Sequence, residues 1–230
     1  MPISSLPSPY GIGTLGKTAY EWIDFLKEAG QSWWQILPLG PTSYGDSPYQ
    51  SFSSAAGNPY LIDLDMLINE GLLEKSDVEK INWGQIPEKV DYGATYNSRF
   101  AVLHKAYTNG KEKLSQEFSA FKEENKEWVD DYSLFMALKK HFNMGSWLDW
   151  PDERARKRDT NALHEYRNTL SDDISFYSFL QFLFYRQWSA LRQYAQNNNI
   201  GIIGDIPIYV ALDSADVWKE PEMFQLDSNY

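Results

Sequence analysis

Residues 172–210 read DDISFYSFLQFLFYRQWSALRQYAQNNNIGIIGDIPIYV, a long stretch of helical recurrence that runs straight into a short apolar one. Ile174, Tyr177, Gln181, Phe184, Trp188, Leu191 and Ala195 fall three or four residues apart, which places them on one face of a helix. Asp172 and Asp173 stand where the helix dipole favours negative charge. The following IGIIGDIPIYV predicts a buried strand cut by Pro207, which has no N–H to give a ladder. The same order occurs near the start. In TLGKTAYEWIDFLKEAG, residues 14–30, Ala19, Trp22, Ile23, Leu26 and Ala29 recur at helical spacing, and Gly30 can close the helix in the left-handed conformation. SWWQILPL, residues 32–39, then predicts a short buried strand closed by Pro38. Helix, strand, helix, strand with such short joints predicts parallel pairing, and so an α/β sheet or barrel. Residues 61–171 read as mainly helical and charged, with segments near 98–108, 111–122 and 126–142 broken by the turn-rich NWGQIPEKVDYG, and are expected to form an insertion after the first of these two strands. In α/β folds ligands bind beyond the carboxyl ends of the strands. Asp46 and Asp205, each following a strand end, are therefore expected to face one cleft.

The bulk composition removes several classes. A formal net charge of -11 argues against a nucleic-acid partner, which would need clustered Lys and Arg. The basic run RARKR, Arg154 to Arg158, is flanked by Asp152, Glu153 and Asp159 and reads as a solvated helix face. With no cysteine there is neither a disulfide framework nor thiolate chemistry, and no apolar run approaches the ~18 residues of a membrane span. MPISSLPSPY lacks the basic and apolar regions of a signal peptide, so the expected location is the cytoplasm. His104, His141 and His164 have no metal-ligand spacing. GIGTLG, residues 11–16, matches a dinucleotide fingerprint, but that motif needs a preceding strand, and Pro7 and Pro9 in SSLPSPY forbid a central one.

The unusual feature is aromatic, with 9 Trp, 15 Tyr and 12 Phe, more than a core of this size obviously needs. SYGDSPYQSFSSAAGNPY, residues 43–60, sets Tyr44, Asp46, Ser47 and Tyr49 together in a turn-rich loop. A sugar ring has apolar faces and polar edges, so a saccharide site combines flat aromatic platforms with hydrogen-bonding groups. A Tyr-rich loop that merely packs well has the same composition. Asp205, directly after IGII, is costly to bury unless paired or facing a polar cleft; the alternative is a carboxylate capping the next turn. Asp213 and Asp216 in ALDSADVW read as cap residues, with Asp213 or Ser214 as the helix N-cap.

These segments, together with VDYGATYN, DDYSLFMALK and GIIGDIPIYVALDSADVWKEPEMFQLD, resemble the N-terminal part of the 4-α-glucanotransferases of glycoside hydrolase family 77, in the same order over essentially all 230 residues. The resemblance implies a (β/α)8 TIM-barrel enzyme that holds a glucan donor as a glycosyl-enzyme and passes it to the 4-hydroxyl of another α-1,4-glucan, a retaining two-carboxylate mechanism. It implies no metal and no organic cofactor, and maltodextrins as partners. By the same resemblance Asp46, Ser47, Tyr49 and Asp205 shape the donor subsite, and Tyr44 and Tyr96 form a secondary glucan-binding groove. The family's nucleophile, acid/base and stabilising carboxylates lie on later strands, so none is expected in this chain. MPISS resembles the end of the first barrel strand. The implied layout is a partial barrel of strands one to three: a first barrel part at residues 1–49, an inserted helical subdomain at 50–171 and a second barrel part at 172–230. A non-catalytic glucan-binding module, or a hydrolase using Asp46 and Asp205, are the other readings; the truncated barrel edge raises the expectation of self-association.

Overall fold

A computed structural model describes residues 1–43, 45–86 and 88–227. In chain order its elements are α1 (Lys17–Glu28), β1 (Trp33–Gln35), α2 (Leu64–Asn69), α3 (Ser76–Glu79), α4 (Tyr92–Gly110), α5 (Ser115–Glu124), α6 (Lys126–His141), α7 (Glu153–Arg156), α8 (Thr160–Thr169), α9 (Ser171–Asn197), β2 (Gly201–Ile203) and α10 (Ala215–Lys219). β1 and β2 pair in parallel, with Trp33 opposite Gly201 and Gln35 opposite Ile203. Both strands are shorter than SWWQILPL and IGIIGDIPIYV suggest. The last rung is the Ile36 N–H to the Ile203 carbonyl, and Pro38 and Pro207 beyond it have no donor to extend the ladder.

The expected first strand at MPISS does not form. Ile3–Ser5 make a turn of 3-10 helix, and among the described residues β1 and β2 are the whole sheet. Pro2, Pro7 and Pro9 flank the segment, and its carbonyls are taken up locally: Ile3 accepts from the Leu6 N–H and Ser4 from the Gly13 N–H. The glycines of GIGTLG are explained by packing. A side chain on Gly13 would collide with the backbone of Ile3 and Leu6, and one on Gly16 would strike the Asp63 carboxylate.

The core lies where α6 packs along α9, with α4, α5 and α8 around them. α9 buries an almost continuous run from Phe176 to Phe184, as expected of a helix packed on several sides. Most of the aromatic surplus is spent here. Phe118 meets Phe179 edge-on at 5.3 Å, Trp150 and Trp218 are fully buried beside Phe135, and Trp147 is fully buried too. The basic run is only partly a solvated face, since Arg158 bonds Asp131 at 2.6 Å and lies 4.2 Å over the Trp218 ring.

Two side-chain amides on α9 fasten the chain between β1 and α2. Gln181 accepts the Gly57 N–H at 2.7 Å and donates to the Gly57 carbonyl at 3.0 Å. Gln187 does the same at Asp63, at 2.7 and 3.1 Å. Both glutamines are buried, so these bonds satisfy polar groups that water does not reach. Arg99 of α4, also fully buried, donates to the carbonyls of Ile62 and Tyr10; desolvation lowers its guanidinium to about 10.

Candidate functional site

The loop after β1 folds back on itself. Thr42 bridges Ser51, the Ser43 N–H donates to the Gln50 carbonyl at 2.9 Å, and the turn is made by Gly45 and Asp46, both at positive φ. Gly takes that conformation freely and Asp is among the few other residues that tolerate it. Ser47 shapes the same turn, its hydroxyl oxygen accepting the Tyr49 N–H at 3.3 Å. Tyr49, 45% exposed, is held out from the loop and donates its hydroxyl to Asp205 Oδ2 at 2.7 Å. That bond to the carboxylate raises the Tyr49 phenol above its ordinary value. Asp205 is thus engaged by the neighbouring strand's loop, and the next helix, α10, is capped instead by Ser214, whose hydroxyl accepts the Val217 N–H.

Asp46 lines a cavity of about 720 Å³ between this loop and the helical region, together with Tyr60, Tyr92, Tyr96, Tyr177 and Asp213. Tyr49 and Asp205 are not among the residues that line that cavity. Burial raises the Asp46 carboxyl; burial and then the Asp46 charge raise the phenols of Tyr60 and Tyr92. Tyr96 reaches the cavity from the first turns of α4, edge-on to Phe100 at 5.6 Å and 44% exposed. Tyr44 lies outside the described residues. Tyr92 and Tyr96 stand four apart on α4, a spacing visible in VDYGATYN, whereas Tyr60, Tyr132 and Tyr177 reach the cavity only through tertiary packing.

Of the two N-cap candidates in ALDSADVW, Ser214 is the cap and Asp213 is not, and Asp216 does not cap either. Asp213 takes the Lys139 ammonium at 2.6 Å and the Trp147 N–H at 3.2 Å. Asp216 accepts from the N–H and hydroxyl of Ser54 at 2.9 and 2.7 Å, tying the first turn of α10 to the loop after β1. Their sequence positions fit a cap equally well; only partners far along the chain decide between the roles.

Fold and loops define a β/α protein whose strand-end face carries tyrosines, carboxylates and a tyrosine-lined cavity. The 4-alpha-glucanotransferase model of glycoside hydrolase family 77 matches residues 1–230, and the chain belongs to that family. It is 53% identical over 227 residues to a 4-alpha-glucanotransferase of Clostridium butyricum, covering 99% of this chain and 46% of that protein. A 4-alpha-glucanotransferase of Thermus thermophilus is 49% identical over 228 residues, covering 97% and 44%. The structure superposes on an amylomaltase from Streptococcus agalactiae in complex with acarbose with a TM-score of 0.96 and 48% identity, covering all of this chain and 46% of that one. The chain therefore spans about half the length of the curated relatives it matches.

Proposed function

We propose that the protein carrying this chain transfers α-1,4-glucan segments between maltodextrins by a retaining double displacement, and that this chain builds donor-side walls of the site without supplying the nucleophile or the acid/base. In that reading residues 1–49 and 172–230 belong to one barrel, with 50–171 inserted into it. The observation that carries it is the Tyr49–Asp205 bond, which joins residues 156 apart at the ends of two paired strands. An exposed phenol anchored at its hydroxyl presents a flat ring to a sugar face, and Asp205 keeps lone pairs for the sugar's edge. Asp46 and Ser47 set the turn that holds Tyr49 out. Similarity to an amylomaltase structure in complex with acarbose supports a glucan as ligand. No helix among the described residues is long and apolar enough to cross a membrane.

The test is incubation with maltotriose. The full-length protein should release glucose and longer maltodextrins, and the isolated 230-residue chain should release neither, because aromatic platforms cannot replace a nucleophile. Disproportionation by the isolated chain, its mass verified, would refute this division of labour. The isolated chain is also expected to self-associate through the exposed Ile206, Ile208 and Tyr209; a monomer in sedimentation at micromolar concentration would count against that.

A second reading, a glucan-binding module, is favoured by the cavity, whose lining gathers Tyr60, Tyr92, Tyr96, Tyr132 and Tyr177 beside Asp46 and Asp213. Maltoheptaose binding by the isolated chain, lost on Tyr96→Ala but kept on Tyr49→Ala, would support it.

A further inference from the structure

Lys139 of α6 is fully buried, yet it touches both loops that follow the strands. Its ammonium donates to Asp213 Oδ2 at 2.6 Å and to the Gly145 carbonyl at 2.9 Å, and lies 4.8 Å over the Phe52 ring and 5.6 Å over Phe135. Phe52 is in the loop after β1 and Asp213 in the loop after β2. Directly beside this contact the first turn of α10, which ends the second loop, joins the first loop, the Ala215 N–H donating to the Phe52 carbonyl at 2.8 Å and Ser54 meeting Asp216. Trp147 completes the clamp, its indole N–H donating to the Leu212 carbonyl at 2.8 Å. Burying an ammonium is expensive, and an apolar residue of similar length would fill this site at less cost. A lone structural contact therefore explains Lys139 poorly. Its geometry is that of a pin through three parts: helix, first loop and second loop.

We infer that Lys139 is a positioning residue that, through Asp213 and Phe52, fixes the spacing between the two strand-end loops and so brings Tyr49 within bonding distance of Asp205. The loop after β2 needs such a pin, because Ile206, Ile208 and Tyr209 between Asp205 and Asp213 are 81%, 91% and 84% exposed and give it little packing of their own. The value of that spacing for sugar binding rests on the function proposed above; the mechanical claim does not.

Lys139→Met keeps the stem and removes the cation, and Asp213→Asn keeps the shape and removes the anion; the second is the milder change should the first fail to fold. In hydrogen exchange on the chain, either variant is expected to speed exchange of the Ala215 amide about ten-fold or more while leaving the α9 amides near Leu191 unchanged. With 13C-labelled tyrosine, the Tyr49 Cζ resonance, assigned from Tyr49→Phe, should move toward that of a free phenol, a signal that a merely stabilising residue would not move. Uniformly faster exchange, or an unmoved Tyr49 resonance with Ala215 still protected, would overturn the inference. A maltoheptaose titration separates the two claims. Weaker binding in both variants than in the parent supports them together; loosened loops in a chain whose parent ignores maltoheptaose leave the pin standing and remove sugar binding by this chain alone.

Discussion

The loops after β1 and β2 do the same topological job and are held in opposite ways. The first is fastened along its length from within the core: Leu39 accepts from the Asn58 N–H, Tyr185 bonds the Ala55 carbonyl, and Gln181 and Gln187 grip Gly57 and Asp63. The second is held by side chains at its ends, Tyr49 at Asp205 and Lys139 at Asp213, with exposed apolar residues between. The difference teaches where a loop's rigidity comes from. Turn residues decide that the chain bends; donors and acceptors on a distant helix decide whether the bend holds one shape.

The largest effect should come from undoing the internal grip. Gln181→Leu leaves the N–H and carbonyl of buried Gly57 without their side-chain partner, and should cost about 2–4 kcal/mol in urea unfolding. A loss below about 1 kcal/mol would mean that this loop is no better fastened than the other. Gly57→Ala comes next. Its Cβ would sit 2.0 Å from the buried Phe184 ring, an overpacking expected to cost about 1–3 kcal/mol.

Asp46→Asn should act in the other direction and depend on pH. Burial holds the Asp46 carboxyl above its ordinary 3.8, so the folded chain binds the proton more tightly than the unfolded one. Stability therefore falls as pH rises from 3.8 through the folded value, and the variant escapes that fall. Its melting temperature should exceed the parent's at pH 7, with the excess shrinking below about pH 4 to the small part that Asn gains from tolerating positive φ. An excess independent of pH would assign the whole effect to backbone conformation. If Asp46 serves the donor subsite, the same variant gains stability while losing transfer activity. The smallest effect is expected at Ile208→Ser, within about 0.5 kcal/mol, because its side chain touches little.

The long helix was legible from local periodicity, α9 holding the whole set from Ile174 to Ala195, and the parallel pairing from the short joints between helix and strand. The ends of the strands were not, since a strand lasts only as far as its partner, and β1 and β2 have just each other among the described residues. MPISS failed for the same reason, its local hydrogen bonds winning where no neighbouring strand pairs with it. In the candidate site, Asp46, Ser47, Tyr49 and Asp205 could be picked out because strand ends and turn residues mark them. The Tyr49–Asp205 bond and the lining of the Asp46 cavity could not be read, nor could Lys139 and Asp213. Those depend on residues up to 156 apart in sequence, and DDYSLFMALKK gives no hint that one of its lysines is buried.

The grips at Gly57 and Asp63 carry a consequence for modularity. Each amide joins residues 124 apart, so everything between Asp63 and Gln181 leaves and re-enters the strand-bearing part through a gate pinned on both posts. A segment whose ends are already fixed close together adds little closure entropy when it grows, only about 0.6 kcal/mol per doubling of length. Connections between the helices of this region can therefore lengthen with the gate unmoved, whereas the helices themselves cannot be trimmed away, because α4, α5 and α6 cover the apolar run of α9 that carries both glutamines.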